Sequence, residues 1–155
     1  MKPHMAATLV RLIYVSRITK ECGPKDLQEI LDVSRRNNAE LGVTGALCYS
    51  GQGFLQCLEG PRTAVNELYR RIIQDARNED VTLLTYAAIK EREFGQWSMA
   101  YMRADQIDQA ILAKHGVSQT FDPYAMNAEQ SLGLLKDIAR ERAAFLARQK
   151  HTPGD

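Results

Sequence analysis

Short apolar stretches alternate along this chain with longer stretches of helical period, and their order restricts the fold more than any other feature. Five stretches have strand character: TLVRLIYVS (8–16), GVTGALCYS (42–50), GFLQCLEG (53–60), VTLLTYAAIKE (81–91) and QWSMAYM (96–102). Two helical stretches, residues 23–41 and 61–78, each have a proline near the start, where the first turn of a helix tolerates it. This order predicts an α+β fold: a ferredoxin-like β-α-β-β-α-β sandwich with an added fifth strand.

The turn between the second and third stretches contains Gly51, Gln52 and Gly53. Glycine readily adopts positive φ angles, so we expect a hairpin in which glycine supplies that conformation. The first stretch has apolar residues on both faces, which indicates an interior strand of the sheet.

Beyond residue 102 the pattern becomes helical, over residues 105–115 and 128–150, with Gly116 and Pro123 in the intervening loop. We therefore divide the chain into a core domain, residues 8–102, and a C-terminal helical extension, residues 103–150. The last helix carries an amphipathic stripe of Leu135, Ile138, Arg142, Phe145 and Leu146. The stripe is expected to cover the second face of the sheet, to form a partner or oligomer surface, or both.

Composition excludes several classes of protein. The chain has 155 residues, of which 45% are hydrophobic and 25% charged, as in one soluble globular domain. The net charge is +1 with mixed signs, so we expect neither a direct nucleic-acid interface nor a membrane span. Three cysteines lack metal-ligand spacing, which predicts no metal site and a cytoplasmic location.

Gln56 is the unusual residue, because it lies in the middle of the apolar stretch GFLQCLEG. A buried amide group left without a partner costs about 1–3 kcal/mol, so Gln56 needs a polar neighbour. The other polar and aromatic candidates each have an ordinary explanation. Asn37 and Asn38 can end a helix, while Tyr14 and Trp97 can fill a core.

Together, the motifs that contain these residues resemble the BLUF domain, a family of blue-light sensors that bind FAD non-covalently. The motifs are RLIYVS, RRNN, TGALCYSGQGFLQCLEG, RRIIQD and FGQWSM, in unbroken order over residues 8–102. The resemblance implies a short photoreceptor that is not an enzyme. Its cofactor would be FAD, with FMN or riboflavin as alternatives.

The resemblance also assigns roles to individual residues. It places the flavin ring between the two helices, with photochemical roles for Tyr14 and Gln56 beneath it. The cofactor-binding residues would be Tyr14, Ile30, Asn37, Asn38, Phe54, Gln56, Arg70, Arg71, Ile72 and Asp75. Trp97 and Met99 would pass the signal on, and a period of two predicts that they share one face of the last strand.

The implied mechanism explains the amide at position 56. An amide carbonyl accepts and the amino group donates, so rotation or tautomerisation of Gln56 reverses the pattern that it offers to Tyr14 and to the flavin. Excitation would draw an electron and a proton from Tyr14. After their return, Gln56 would be left in a new arrangement that gives a reversible red-shifted state. We expect the chain to form a homo-oligomer. The signal would pass from it to a separate effector protein, such as a cyclic-nucleotide enzyme or a transcriptional regulator.

Three alternatives remain open. A non-photochemical regulatory domain that binds a small molecule is compatible with the same fold. A flavoenzyme would need a proton-handling group, and the three histidines all lie outside the motifs. A cysteine nucleophile at Cys48 or Cys57 would need an adjacent base, whereas both cysteines lie in apolar strands.

Overall fold

The computed structural model describes residues 8–19, 24–51, 53–117 and 120–150. In chain order its elements are β1 (Leu9–Ile18), α1 (Pro24–Leu41), β2 (Thr44–Tyr49), β3 (Gly53–Pro61), α2 (Arg62–Gln74), β4 (Asn78–Ala88), β5 (Ala100–Arg103), α3 (Gln109–Lys114) and α4 (Ala128–Lys150). Single 3-10 turns at Ala104–Gln106 and Pro123–Ala125 flank α3.

The five strands form one mixed sheet in the order β4-β1-β3-β2-β5. β1 pairs antiparallel with β3 and β4, β2 pairs antiparallel with β3, and β5 is added parallel to β2. The predicted α+β ferredoxin-like sandwich with a fifth strand and C-terminal helices is therefore confirmed. β1 has a neighbour on both sides, as its apolar sequence requires.

Alternate residues of the strands build two cores, one on each face of the sheet. The front cluster lies under α1 and α2 and includes Leu12, Tyr14, Leu31, Phe54, Leu58, Leu68 and Met99. The back cluster lies under α3 and α4 and includes Ile13, Val15, Leu55, Phe94, Leu134, Leu135 and Ile138. Any signal from one face must therefore cross the sheet or pass around its edge.

The α4 stripe does cover the back face, but only along part of its length. Leu135 and Ile138 are buried in the back cluster, whereas Phe145 and Leu146 remain 44% and 42% exposed. The helical stretch predicted for residues 105–115 is shorter, because a 3-10 turn comes first and α3 begins at Gln109. The Asp108 carboxylate caps α3 by accepting from the Ala110 amide.

The prediction that Trp97 and Met99 share a face of the last strand is wrong. β5 begins only at Ala100, and both residues lie in the connector, residues 89–99, which joins β4 to β5. Trp97 packs against the back cluster and Met99 is buried in the front cluster. The period of two fails because the connector is not extended here, where the chain goes around the sheet edge beside β2.

The hairpin between β2 and β3 forms as predicted, but not for the predicted reason. Neither Gly51 nor Gly53 has a positive φ, and Gln52 lies outside the described residues. Gly53 is instead required by close packing, because a Cβ there would lie 2.2 Å from the Ser16 carbonyl oxygen. The Ser50 amide donates to the Gly53 carbonyl at 3.0 Å and closes the turn.

The same kind of contact at Gly45 gives a test of the sheet. A Cβ at Gly45 would lie 2.0 Å from the Cys57 carbonyl oxygen, which is backbone of the paired strand and cannot move alone. We expect Gly45→Ala to lower the free energy of unfolding by about 2 kcal/mol or more, measured by chemical denaturation. The control is Gly51→Ala, because a Cβ there meets nothing within 4 Å. Equal stability of the two variants would contradict the observed strand spacing.

Candidate functional site

A cleft opens between α1 and α2 above the front face of the sheet. Nine of the residues predicted for the site line it: Tyr14, Ile30, Asn37, Asn38, Phe54, Gln56, Arg71, Ile72 and Asp75. Arg70, the tenth, is exposed on α2 and is not part of the lining. The structure thus brings together residues from β1, α1, β3 and α2 that are far apart in the sequence.

Further lining residues were not predicted: Val33, Ser34, Leu47, Leu58, Leu68, Arg77 and Asn78. The helical period of α1 could have identified Val33 and Ser34, since they lie one turn from Ile30 and Asn37. Arg77 and Asn78 directly follow Asp75, but only the fold shows that the chain turns back toward the cleft there.

The floor of the cleft is a buried hydrogen-bonded pair, Tyr14 and Gln56. The antiparallel register of β1 and β3 places these residues directly opposite each other, so their side chains are neighbours on the front face. The Tyr14 hydroxyl donates to Gln56 Oε1, and Gln56 Nε2 donates to Met99 Sδ at 3.4 Å. Both residues are almost inaccessible to solvent, at 3% and 6%. The amide therefore has the polar partner that its burial requires, and its amino group keeps a second hydrogen for a ligand.

Burial also controls the protonation of the phenol. Desolvation raises the pKa of Tyr14 far above its usual value, and nearby Tyr69 and Asp75 raise it further. The phenol therefore stays protonated at any ordinary pH. Tyr14 can release its proton only if something else removes the cost of a buried negative charge, such as simultaneous loss of an electron.

The two asparagines at the end of α1 have different environments. Asn38 is 2% exposed, and its side-chain amino group donates to the Ser98 carbonyl at 2.9 Å. Its own backbone carbonyl accepts from the Val43 amide at 2.8 Å. Asn37 is only partly buried and faces the cleft. Asn38 thus ties the connector to α1, while the side chain of Asn37 is placed for a ligand.

The other end of the cleft carries charged groups. Arg77 donates from Nε at 3.0 Å and from Nη2 at 2.9 Å to the two carboxylate oxygens of Asp75. These bonds lower the pKa of Asp75 against the opposing effect of burial. Arg71 extends from α2, where it pairs with Glu67 at 2.8 Å. This end of the cleft suits a hydroxylated or anionic chain.

The composition of the cleft fits a flat heteroaromatic ring with a polar edge. Ile30, Phe54 and Ile72 supply apolar walls, and the amides of Asn37 and Gln56 supply donors and acceptors. A ring system bound here would be shielded from water on its faces and hydrogen-bonded along one side.

The described residues give no support to a metal site or a cysteine nucleophile. They contain no group of three His, Cys, Asp or Glu side chains that could hold a metal ion. Burial raises the pKa of Cys48 to about 12 and that of Cys57 well above its usual value, so neither forms a reactive thiolate. Within the same residues, no helix combines the length and the hydrophobicity needed to cross a membrane.

Comparisons with known proteins point to one family. Residues 9–100 match the family described as BLUF, sensors of blue-light using FAD. The structure titled "BlsA photo-activated state" superposes with a TM-score of 0.76 at 30% identity, covering 84% of this chain and 94% of that one.

Two curated relatives are longer proteins. A photoactivated adenylate cyclase subunit beta-like protein FB from Euglena gracilis is 37% identical over 101 residues, which are 64% of this chain and 12% of that protein. The blue light- and temperature-regulated antirepressor BluF from Escherichia coli strain K12 is 33% identical over 126 residues, or 76% of this chain and 31% of that protein. The chain therefore spans less than a third of either relative.

The different roles of the two asparagines can be tested on the ligand-free protein. Asn38→Ala removes the bond to the Ser98 carbonyl, so we expect a fall in unfolding free energy of about 0.5–1.5 kcal/mol. Asn37→Ala, the control, should change it by less than about 0.5 kcal/mol. Denaturant titration measures both values, and equal losses would show that the bond to Ser98 does not stabilise the protein.

Proposed function

The chain belongs to the BLUF family of blue-light sensors that use FAD, and from this premise we propose that Tyr14 and Gln56 form its photochemical switch. The observation that supports the proposal is the buried Tyr14–Gln56–Met99 series of hydrogen bonds on the floor of the cleft. These hydrogen bonds connect a proton donor, Tyr14, through an amide whose donor and acceptor ends can exchange places, to Met99 of the connector.

The residues of the cleft have the properties needed to hold a flavin. Ile30, Phe54 and Ile72 would lie against the ring, while the side chains of Asn37 and Asn38 would bond to its polar edge, Asn38 through its side-chain oxygen. We place Arg71 and Asp75 beside the flavin side chain, with Arg77 positioning the Asp75 carboxylate. Arg70 is left without a cofactor role because it does not line the cleft.

Tyr14 is the electron and proton donor in this proposal. A flavin held in the cleft would supply the absorption of blue light and an excited state able to accept an electron and a proton. Tyr14 supplies both from its phenol group, since loss of the proton alone is opposed by burial. Both return to the Tyr14 oxygen at the end of the step, so the charge and proton count of the protein are restored.

Gln56 keeps its new hydrogen-bond arrangement after Tyr14 has regained its electron and proton. While Tyr14 lacks its proton, the amide loses the donor that held its Oε1, and it can rotate or tautomerise. Its amino group then faces the phenol oxygen or the flavin carbonyl in a new pattern. A stronger hydrogen bond to the flavin carbonyl would shift the absorption to longer wavelength without a new covalent bond.

The same movement reaches the connector through Met99. Rotation replaces the Gln56 amino group near Met99 Sδ by a carbonyl oxygen, and two acceptors cannot hydrogen-bond to each other. Met99 therefore loses its bond to Gln56, and the resulting shift can reach Ser98 and Trp97, which precede it. Trp97 lies outside the cleft and packs toward α4, so the change can reach the back face.

We further propose that light sensing and signal output belong to different parts of the chain. Residues 8–102 would be the photosensory domain, and residues 103–150 would form the output surface for a homo-oligomer or a separate effector. The relatives named as a cyclase subunit and an antirepressor support an effector of either kind. Because this chain matches only a small part of each, we assign no enzymatic activity to it.

Spectroscopy of three variants tests the photochemical roles. The parent should be yellow with non-covalent flavin, and illumination should shift its blue band reversibly to longer wavelength. Gln56→Leu and Tyr14→Phe should keep the flavin but lose the normal red-shifted product, because one lacks the amide and the other the phenolic donor. Tyr69→Phe is the control, since this half-buried ring lies 5.8 Å from Tyr14 without joining the hydrogen-bonded series.

Three results would contradict these assignments. A parent that stays colourless after reconstitution with FAD, FMN or riboflavin would favour a non-photochemical regulatory domain. Lasting bleaching of the blue band would indicate an adduct or net reduction of the flavin. A normal cycle in both Gln56→Leu and Tyr14→Phe would remove these residues from the mechanism.

The relay through Met99 has its own test. Met99→Ala removes the sulfur that accepts from Gln56, so flavin binding and the red shift should survive while the light-dependent change in α4 weakens. Hydrogen exchange of α4 amides, in dark and light, measures this change. Equal exchange in dark and light for the parent would take α4 out of the signalling path, and an unaltered response in the variant would exclude Met99 as a necessary link.

A further inference from the structure

The back face contains a buried carboxylate that the photochemistry does not use. Glu59 of β3 is 0% exposed and lies on the face opposite to Gln56. Arg11 donates to it from Nε at 2.8 Å and pairs with it through Nη2 at 2.7 Å. The Phe94 amide donates to Oε1 at 2.9 Å, and the Glu93 amide lies 2.9 Å and 3.1 Å from its two oxygens.

These contacts fix the middle of the connector to the sheet. A carboxylate that accepts from two consecutive backbone amides and an arginine holds that backbone far more firmly than a neutral contact does. The Phe94 side chain, 1% exposed, is embedded in the back cluster next to this anchor. The anchor thus combines charge-assisted hydrogen bonds with a large buried side chain.

The next part of the connector is attached to β2 and α1 instead. The Trp97 carbonyl accepts from the Gly45 amide at 3.1 Å, and the Ser98 carbonyl accepts from the Asn38 side chain at 2.9 Å. Met99 then contacts Gln56 in the cleft. Within six residues the chain passes from a bond with a buried carboxylate on one face to a bond with the photochemical amide on the other.

The two attachments differ in strength. At Met99 the acceptor is a thioether sulfur at 3.4 Å, which is a weak partner, while the anchor at Glu59 uses several charge-assisted bonds. A change at Gln56 can therefore move the Met99 end, but the Glu93–Phe94 end stays in place. Movement is then confined to the intervening residues, where single hydrogen bonds hold the Trp97 and Ser98 carbonyls and the Trp97 side chain packs against the back cluster.

We propose that Glu59, held by Arg11, is a positioning residue for signal transmission, which fixes one end of the connector so that a change at Met99 is converted into movement of Trp97. The proposal rests on the relay through Met99 given above and adds a second, fixed point to it. Without the bonds to Glu59, the same change at Met99 would displace the whole connector slightly. The movement of Trp97 against α4 would then be smaller.

Glu59→Gln tests this role because it keeps the size of the side chain and removes the charge. An amide places an amino group against the Arg11 guanidinium or a backbone amide, so at most part of the network survives. The matched control is Glu93→Gln, which removes an exposed carboxylate from the same connector. Among the described residues, that side chain forms one ion pair, a 3.8 Å contact with Lys136.

Three readouts are compared between FAD-loaded parent and variants. The first is the flavin red shift, which should be unchanged in Glu59→Gln because the cleft is intact. The second is Trp97 fluorescence, since this is the single tryptophan of the chain; its light-minus-dark change should fall by at least about half. The third is hydrogen exchange at residues 93–94, which should become about tenfold faster in the dark.

A structural role alone would lower thermal stability but leave the light-dependent Trp97 change of the folded protein as in the parent. That result, with a normal parent response, overturns the proposal and leaves the proposed photochemistry untouched. Absence of any Trp97 response in the parent contradicts the Met99 relay and the present proposal together.

A second variant keeps the test decisive if Glu59→Gln does not fold. The double variant Glu59→Gln/Arg11→Met removes both charges, so no buried guanidinium is left without its partner. Its stability should approach that of the parent, whereas its Trp97 response should stay low because the anchor at residues 93–94 is still weakened. A full parental response in the double variant would overturn the role of Glu59.

Discussion

The hydrogen bond between Tyr14 and Gln56 is the interaction on which the rest of the site depends. Its existence follows from the register of β1 with β3, which places both residues on the front face under α1 and α2. Burial determines what the bond can do, because it keeps the phenol protonated and leaves the amide almost inaccessible to solvent. The amide in this position is held by Tyr14 and Met99, and its donor and acceptor ends can exchange places, which neither a carboxylate nor an apolar side chain allows.

The sheet lies between the Tyr14–Gln56 pair and α4, the helix that would respond to it. The connector contacts both faces and so links the two. The segment goes around the edge beside β2, with Phe94 in the back cluster and Met99 in the front cluster. Its front attachments are single hydrogen bonds, and its back attachment is a charge-assisted network. A sheet is stiff, whereas a segment with one weak and one strong attachment can convert a small displacement at the weak end into movement between the two.

Much of the fold could be predicted from local pattern, and much of the site from motif resemblance. The helical period and the strand stretches gave the order of elements, and nine of ten predicted cofactor residues line the cleft. Arg70 does not line the cleft, because neighbouring residues on a helix point in different directions and of the two arginines Arg71 faces the cleft. The start of β5 was missed because a long-range contact, the bond from Gly45 to the Trp97 carbonyl, and not local alternation, determines the path of the chain there. The network around Glu59 joins residues 35 and 48 positions apart, a separation at which a sequence pattern carries no signal.

The central claim is that light leaves Gln56 with a stronger hydrogen bond to the flavin carbonyl. The most direct measurement is the light-minus-dark infrared difference spectrum of the FAD-loaded protein, with flavin labelled at the carbonyl carbon to assign the band. The account predicts a downshift of this carbonyl stretch that appears and decays with the visible red shift and is missing from Gln56→Leu. A visible red shift without a downshift, or the same downshift in Gln56→Leu, would contradict it.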